Sequence, residues 1–185
     1  SIRLTAGFQS LGGTIAADGT SGGAVAVQAH NVNQYGSITA NGSSGNGGRI
    51  DMMADSIVQP NTAAVTAHGA TTGGTIRVQG RDSVFSSATL DAGGTRLVGN
   101  VELRGDALTL AAASISATGA SGGGSIKVGG DYQGRGAGQQ ASTVWVNAAT
   151  LLDASATRHG DGGKVVVWSD RDTAFAGTAR SRGGA

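Results

Sequence analysis

The chain has 185 residues, of which 34 are Gly, 30 Ala and 18 Ser, with one Pro, no Cys and seven aromatics. Thirteen Lys and Arg against twelve Asp and Glu leave a formal charge of +1, so no basic surplus exists to attract a phosphate backbone, and nucleic acid is not an expected partner. No apolar run approaches the roughly 18 residues that span a bilayer, no charged-then-apolar opening marks a signal peptide, and without Cys there is neither a disulfide framework nor a thiolate metal site.

Leu, Ile, Val and Phe number 35 against 53 for Gly, Pro and Ser, a balance that marks a disordered chain unless a repeat organises it. Ser1 opens directly into the apolar alternation Ile2-Arg3-Leu4. An apolar-x-apolar triplet then follows successive Gly-Gly turns, at Val25-Ala26-Val27, Ile50-Asp51-Met52 and Ile76-Arg77-Val78. Val101-Glu102-Leu103 keeps the spacing after Gly99-Asn100, and Ile126-Lys127-Val128 and Val165-Val166-Val167 continue the series. The steps are 25, 26, 25, 25 and 39 residues.

A second column reads apolar-x-Ala at Ile15, Ile38, Val65, Leu90, Ile115 and Leu152, and a looser third contains Val32, Ile57, Val84 and Leu108. In each triplet the outer residues are apolar and the middle one varies, the period of two expected of a strand with one buried face. Gly, Asn and Asp punctuate the strand ends. The pattern predicts an all-β parallel β-helix (a β-solenoid) of about seven coils of roughly 25 residues, three short strands per coil, each strand paired with its equivalent one coil away. The recurrent Ala predicts a cross-section that narrows at that column.

Residues 129–142 break the rhythm by about half a coil and lack apolar alternation. They read as an extruded loop or as an irregular coil; in the second case Val144-Trp145-Val146 takes the place of the first column. Residues 1–185 otherwise read as one β-helix segment. Neither end has an amphipathic helix or charged strand to cover unpaired edges, so the segment is expected to continue into a longer shaft or to stack end to end on copies of itself.

The C-terminal third carries a family resemblance. Gly124-Ser125-Ile126-Lys127-Val128-Gly129-Gly130-Asp131-Tyr132-Gln133-Gly134, Gly160-Asp161-Gly162-Gly163-Lys164-Val165-Val166-Val167-Trp168-Ser169-Asp170 and Phe175-Ala176-Gly177-Thr178 resemble the repeat region of filamentous-haemagglutinin-type exoproteins secreted by the two-partner pathway. Upstream, Ile38-Thr39-Ala40-Asn41-Gly42 fits the same pattern more loosely. The resemblance implies a right-handed β-helical shaft in a large secreted or bacterial surface adhesin, exported through an outer-membrane pore, that acts in adhesion, aggregation or biofilm matrix. Two features of the family are missing from the residues as read: the amino-terminal secretion domain and any recognisable distal binding domain.

The search for chemistry gives little. His30, His68 and His159 have no partners at metal-ligand spacing, and Gly160-Asp161-Gly162-Gly163 is a single imperfect copy of a calcium-binding repeat that needs tandem copies. No metal, cofactor or catalytic residue is expected. The middle positions Asp51, Arg77, Glu102 and Lys127 form a ladder of alternating sign on one face. That ladder suits cross-strand pairing, or, in an alternative reading, the groove of a carbohydrate-cleaving β-helix. The column Ala16, Thr39, Thr66, Asp91, Ser116, Asp153 is broken by its two Asp as an ice-binding array. Tyr132, Trp145 and Trp168 are the candidate contacts for a surface or matrix polysaccharide.

Overall fold

A computed structural model describes all residues 1–185. The alternation of buried and exposed side chains draws the chain into seven stacked coils of a parallel β-solenoid. Coil one holds β1 (Ile2–Thr5), β2 (Phe8–Leu11) and β3 (Thr14–Ala16), and coil two holds β4 (Ala24–Gln28), β5 (Asn31–Gln34) and β6 (Ser37–Thr39). In coils three and four the first two strands merge across the corner, giving β7 (Arg49–Gln59) with β8 (Ala64–Thr66) and β9 (Thr75–Ser86) with β10 (Thr89–Asp91). Coil five has β11 (Asn100–Arg104), β12 (Ala107–Leu110) and β13 (Ser114–Ser116); coil six has β14 (Ser125–Val128), β15 (Thr143–Val146) and β16 (Leu151–Asp153). Coil seven closes the series with β17 (Lys164–Val167), β18 (Asp172–Phe175) and β19 (Thr178–Arg180).

Three faces result. Face A runs β1-β4-β7-β9-β11-β14-β17 and face C runs β3-β6-β8-β10-β13-β16-β19. Face B runs through β2, β5, the second halves of β7 and β9, β12, β15 and β18. Seven coils at the usual strand spacing give a rod about 34 Å long. The columns read from the sequence are the registers observed: Val25 pairs Ile50, Ile50 pairs Ile76, and Val101 pairs Ile126 on face A. On face B, Val32 pairs Ile57, Ile57 pairs Val84, and Leu108 pairs Val84. Between Ala54 and Ser56 the register of β7 on β9 shifts, so that the 26-residue offset on face A (Ile50 to Ile76) becomes 27 on face B (Ile57 to Val84) and Asp55 lies opposite Arg81 and Asp82.

The turns stack as the strands do. Of 127 backbone hydrogen bonds, 69 lie outside the strands, and isolated bridges join Gly19 to Gly42, Gly42 to Gly69, Gly69 to Gly94 and Gly94 to Gly119. Five of the six turns from face C to the next coil's face A are closed by one recurring bond; at the sixth, Gly99 packs closely against Ala92 without it. The second Gly of the Gly-Gly pair donates its N–H to the carbonyl of the apolar-x-Ala alanine: Gly23 to Ala17 (2.7 Å), Gly48 to Ala40 (2.7 Å), Gly74 to Ala67 (2.7 Å), Gly124 to Ala117 (2.8 Å) and Gly163 to Ala154 (2.7 Å).

The closure explains the residue types. A Cβ on Gly74 would lie 2.2 Å from the Gly48 carbonyl oxygen, 2.6 Å from that of Ala67 and 2.7 Å from the Ala67 methyl. Backbone approaches backbone on one side and a methyl fills the other, so only Gly and Ala fit. The expected narrowing at that column therefore has a physical basis in this contact. Ala40, Ala67, Ala92, Ala117 and Ala154 are all fully buried beside the larger Ile38, Val65, Leu90, Ile115 and Leu152.

One core row departs from the apolar pattern. Gln34 and Gln59 point inward on face B and are fully buried, with Ser86 in the next coil. Gln59 Nε2 donates to Gln34 Oε1 (2.7 Å), and Gln34 Nε2 donates to the carbonyls of Gly36 and Ala64 (3.0 Å each). The amides thus satisfy turn carbonyls that an apolar residue would leave without these partners.

Because Gly74 meets rigid backbone, Gly74→Ala should lower stability by about 1–3 kcal/mol, the usual range for overpacking. Gly7→Ala, where nothing lies within 4 Å, should leave it nearly unchanged. Thermal unfolding followed by far-ultraviolet circular dichroism of both variants checks this.

Candidate functional site

Face A carries the charge. Strand pleating sends every second side chain outward, and parallel in-register pairing stacks like positions, so Asp51, Arg77, Glu102 and Lys127 stand in one column as the sequence indicates. Their bonding is not a simple coil-to-coil ladder. Asp51 is held by Arg49 of its own strand, with Nη2 at 2.8 Å from Oδ1 and Nε on Oδ2. Arg77 Nε donates to Glu102 Oε2 (3.0 Å), and Arg104 Nε donates to Glu102 Oε1 (2.7 Å). Lys127 turns away to Asp131 (2.5 Å).

The shallow depression that includes Arg49, Arg77, Glu102 and Lys127 encloses about 330 Å³. Asp51 and Glu102 lie two coils apart with Arg77 between them, and each is occupied by a guanidinium. The face therefore stores its charge in internal pairs and presents no pair of free carboxylates to a substrate.

The segment between β14 and β15 is a strap laid over the corner of faces A and B. It leaves β14 at Gly129, whose φ of +86° and whose Cβ position, 2.1 Å from the Trp168 carbonyl oxygen, demand glycine. A single 3₁₀ turn, Tyr132–Gly134, is the only helical element. The strap is pinned by Arg104, whose side chain is only 10 % exposed. Arg104 Nη2 donates to Asp131 Oδ2 (2.6 Å) and its Nη1 to the Gln139 carbonyl (2.8 Å). Gln139 Nε2 donates to the Arg81 carbonyl (2.6 Å), one coil further on.

The glycines of the strap lie flat on this ion pair: a Cβ on Gly138 would fall 2.6 Å from Arg104, and one on Gly136 would strike the Asp131 carboxylate. Burial opposes the Arg104 charge, but the hydrogen bonds it donates to Asp131 and Glu102 outweigh it and raise its pKa. Hydrogen bonds from Lys127 and then Arg104 lower the Asp131 pKa to about 2.

The three aromatic candidates have different settings. Trp168 follows β17 and supports the strap from beneath, with its Nε1–H donating to Asp170 Oδ1 (3.1 Å) and its indole against Gly134. Tyr132 is exposed on the strap, with the Lys164 ammonium 5.4 Å from its ring centre. Trp145 stands outward on face B, because Val144, Trp145 and Val146 pair with Leu108, Thr109 and Leu110 and not with a face A strand. Its column also contains Phe85 and Val58, exposed apolar side chains that the columns of the sequence do not single out, although each is the direct neighbour of a third-column residue, Val84 or Ile57.

The histidines take local partners: His30 Nδ1 bonds Asp55 (2.9 Å), the His68 N–H donates to Asn41 Oδ1 (2.9 Å), and His159 Nε2 bonds Ser121 (3.1 Å). No three His, Cys, Asp or Glu side chains converge as metal ligands. Asp91 and Asp153, which interrupt the Thr column, accept from the N–H of Gly93 (2.9 Å) and Ser155 (3.0 Å), so each holds the turn two residues on. No helix is long and apolar enough to cross a membrane.

No family model matches this sequence, and no curated protein does. Among solved structures, the HMW1 secretion domain from Haemophilus influenzae superposes with a TM-score of 0.85 over 98 % of this chain. The chain shares the fold of a secretion-domain β-solenoid, whereas its residues read as lacking a secretion domain: the architecture is alike where the sequence signature is not. Sequence identity is 21 %, and the chain spans about half (53 %) of that domain's length, so the likeness is one of architecture. The charged ladder and the strap accordingly stand on this chain's own residues.

The lowered Asp131 pKa gives the strap a signed pH dependence. Its contribution is complete above the unfolded Asp value of about 3.9 and is lost as pH falls through about 2. Amide exchange by nuclear magnetic resonance should show residues 131–139 losing protection over that window, and Asp131→Asn should show the same loss at neutral pH. Protection that persists in the variant would mean that Asp131 does not hold the strap.

Proposed function

We propose that this chain is a non-enzymatic shaft segment of a large secreted or surface adhesin of the filamentous-haemagglutinin type. The observation that carries the reading is the unbroken in-register stacking of all three faces through seven coils, in a solenoid whose architecture is that of a bacterial secretion domain. Such a rod supplies length, stiffness and a long polar surface, and supports cell adhesion, aggregation or a biofilm matrix. An outer-membrane secretion pore is its export partner, its place is the secreted or cell-surface compartment, and polysaccharide is the surface contact it would meet there. A Cys-free chain suits passage through the periplasm before folding. The internal pairing of Asp51, Glu102 and Asp131 favours this reading over cleavage of a uronic-acid polymer.

The mass of the native polypeptide under denaturing conditions tests the reading. A mass many times 18.0 kDa is expected, with these residues as one stretch of a long shaft. A mass near 18 kDa would overturn it in favour of a subunit that stacks end to end. Loss of viscosity in a uronic-acid polymer incubated with the protein would overturn the non-enzymatic part.

A further inference from the structure

Face B differs from face A in carrying no charge through its first six coils; in the seventh, Asp172 follows Thr143 in the first row and Ala174 follows Trp145 in the second. Two outward rows run along it. Through six coils the first reads Phe8, Asn31, Ser56, Ser83, Ala107, Thr143, and the second reads Ser10, Asn33, Val58, Phe85, Thr109, Trp145. The neighbouring charges, Asp55, Arg81, Asp82 and Asp106, sit on the A–B corner, where Asp55 is paired with Arg81 and Asp106 accepts from Ser142.

Three large apolar side chains stand outward in the second row: Val58 is 40 % exposed, Phe85 39 % and Trp145 48 %. Exposed apolar side chains gathered in one strip mark a binding surface more often than scattered ones do. Phe85 and Trp145 hold the same register position two coils apart, with Thr109 between them, a separation of about 9.6 Å along the axis. In an extended β-linked hexose chain one ring advances by nearly the step of one coil, and alternate rings turn the same apolar CH face to the same side. The flanking row offers hydroxyls and an amide at Asn31, Ser56, Ser83 and Thr143, suited to the equatorial hydroxyls of such a chain, and no cation that would select an acidic one; its one charge, Asp172 in coil seven, repels an acidic chain.

We propose that face B is a docking strip for a neutral, extended β-linked polysaccharide lying parallel to the solenoid axis, with Phe85 and Trp145 as its two stacking platforms. Thr109 sits under the intervening sugar ring. Val58 extends the apolar track by one coil. Tyr132 and Trp168 take no part, one being carried on the strap and the other lying beneath it. The strip is a property of this chain whether or not the chain belongs to a longer shaft.

Co-sedimentation of the 185-residue chain with insoluble β-1,4-glucan and with chitin, against soluble alginate in an affinity gel as the acidic comparison, tests the proposal. The chain should be retained by at least one neutral polymer, and added salt should not release it. Trp145→Ser should weaken retention by roughly tenfold, the scale of one lost aromatic platform. Phe85→Ser with Trp145→Ser should abolish it, while Trp145→Tyr and Tyr132→Ser should retain it.

Unchanged circular dichroism and melting of the variants exclude misfolding, and Trp145→Tyr against Phe85→Ser keeps the comparison informative should Trp145→Ser fail to fold. Absence of retention on either neutral polymer would overturn the proposal, as would wild-type retention by the double variant. Salt-sensitive retention by alginate alone would move binding to face A. A concentration-dependent dimer in sedimentation velocity, lost in Trp145→Ser, would assign the strip to a second copy of the chain.

Discussion

The structure depends on the close contact that shuts each turn between coils, which at five of the six is a hydrogen bond from the second glycine of a Gly-Gly pair to the carbonyl of the alanine that ends face C and at the sixth is the packing of Gly99 on Ala92. Hydrogen bonds along the stack hold one coil to the next, but they do not by themselves fix a coil's circumference. The Gly–Ala contact does, because a backbone separated from another backbone by less than a Cβ admits no other residue pair. With the circumference fixed, the same position in each coil falls in the same place, and parallel pairing turns a periodicity in sequence into straight rows in space. A single coil buries too little apolar surface to offset the ordering of its residues. Stability is therefore shared between neighbours, as in other solenoids.

From that constraint the surface chemistry follows row by row. A charged residue at one outward position has outward neighbours a strand spacing away, so charges on face A are obliged to pair or repel. Arg49 with Asp51, and Arg77 and Arg104 with Glu102, are the outcome. The strap uses the same material: Arg104 reaches across the corner and anchors Asp131 while still bonded to Glu102. The glycines of the strap are there because a guanidinium–carboxylate pair lies directly under the chain. Face B, whose rows are uncharged through six coils, has no such pairing to complete there, and its apolar side chains remain open to solvent.

Much of the fold was legible in the residues because a β-solenoid repeats one local rule. The apolar triplets, the Gly-Gly turns and the buried alanines mark the strands, their faces and their partners, since each strand's partner is the same column one period away. Val32, Ile57, Val84 and Leu108 formed the least distinct column, and they line the inside of face B. What obscured that column is visible in the structure: its second inward position holds Gln34, Gln59 and Ser86, buried polar groups that break the apolar alternation; Gln34 bonds the Gly36 and Ala64 carbonyls, Gln59 donates to Gln34 while its own Oε1 has no partner, and Ser86 accepts from the Ala88 N–H. Phe85 and Trp145 were not connected as one row because 36 residues separate Leu108 from Val144, and a period disturbed by an insertion cannot be counted across.

The sequence by itself determined the all-β class, the coil length, the three columns, the absence of thiol chemistry and the alternating charges of Asp51, Arg77, Glu102 and Lys127. These are properties of local alternation and of a fixed period, and both are written in neighbouring residues. Only the tertiary structure decided which carboxylate each arginine holds, where residues 129–142 lie, and that Trp145 joins Phe85 while Trp168 supports the strap. Those outcomes depend on contacts between residues tens of positions apart, whose geometry exists only once the coils have closed and stacked.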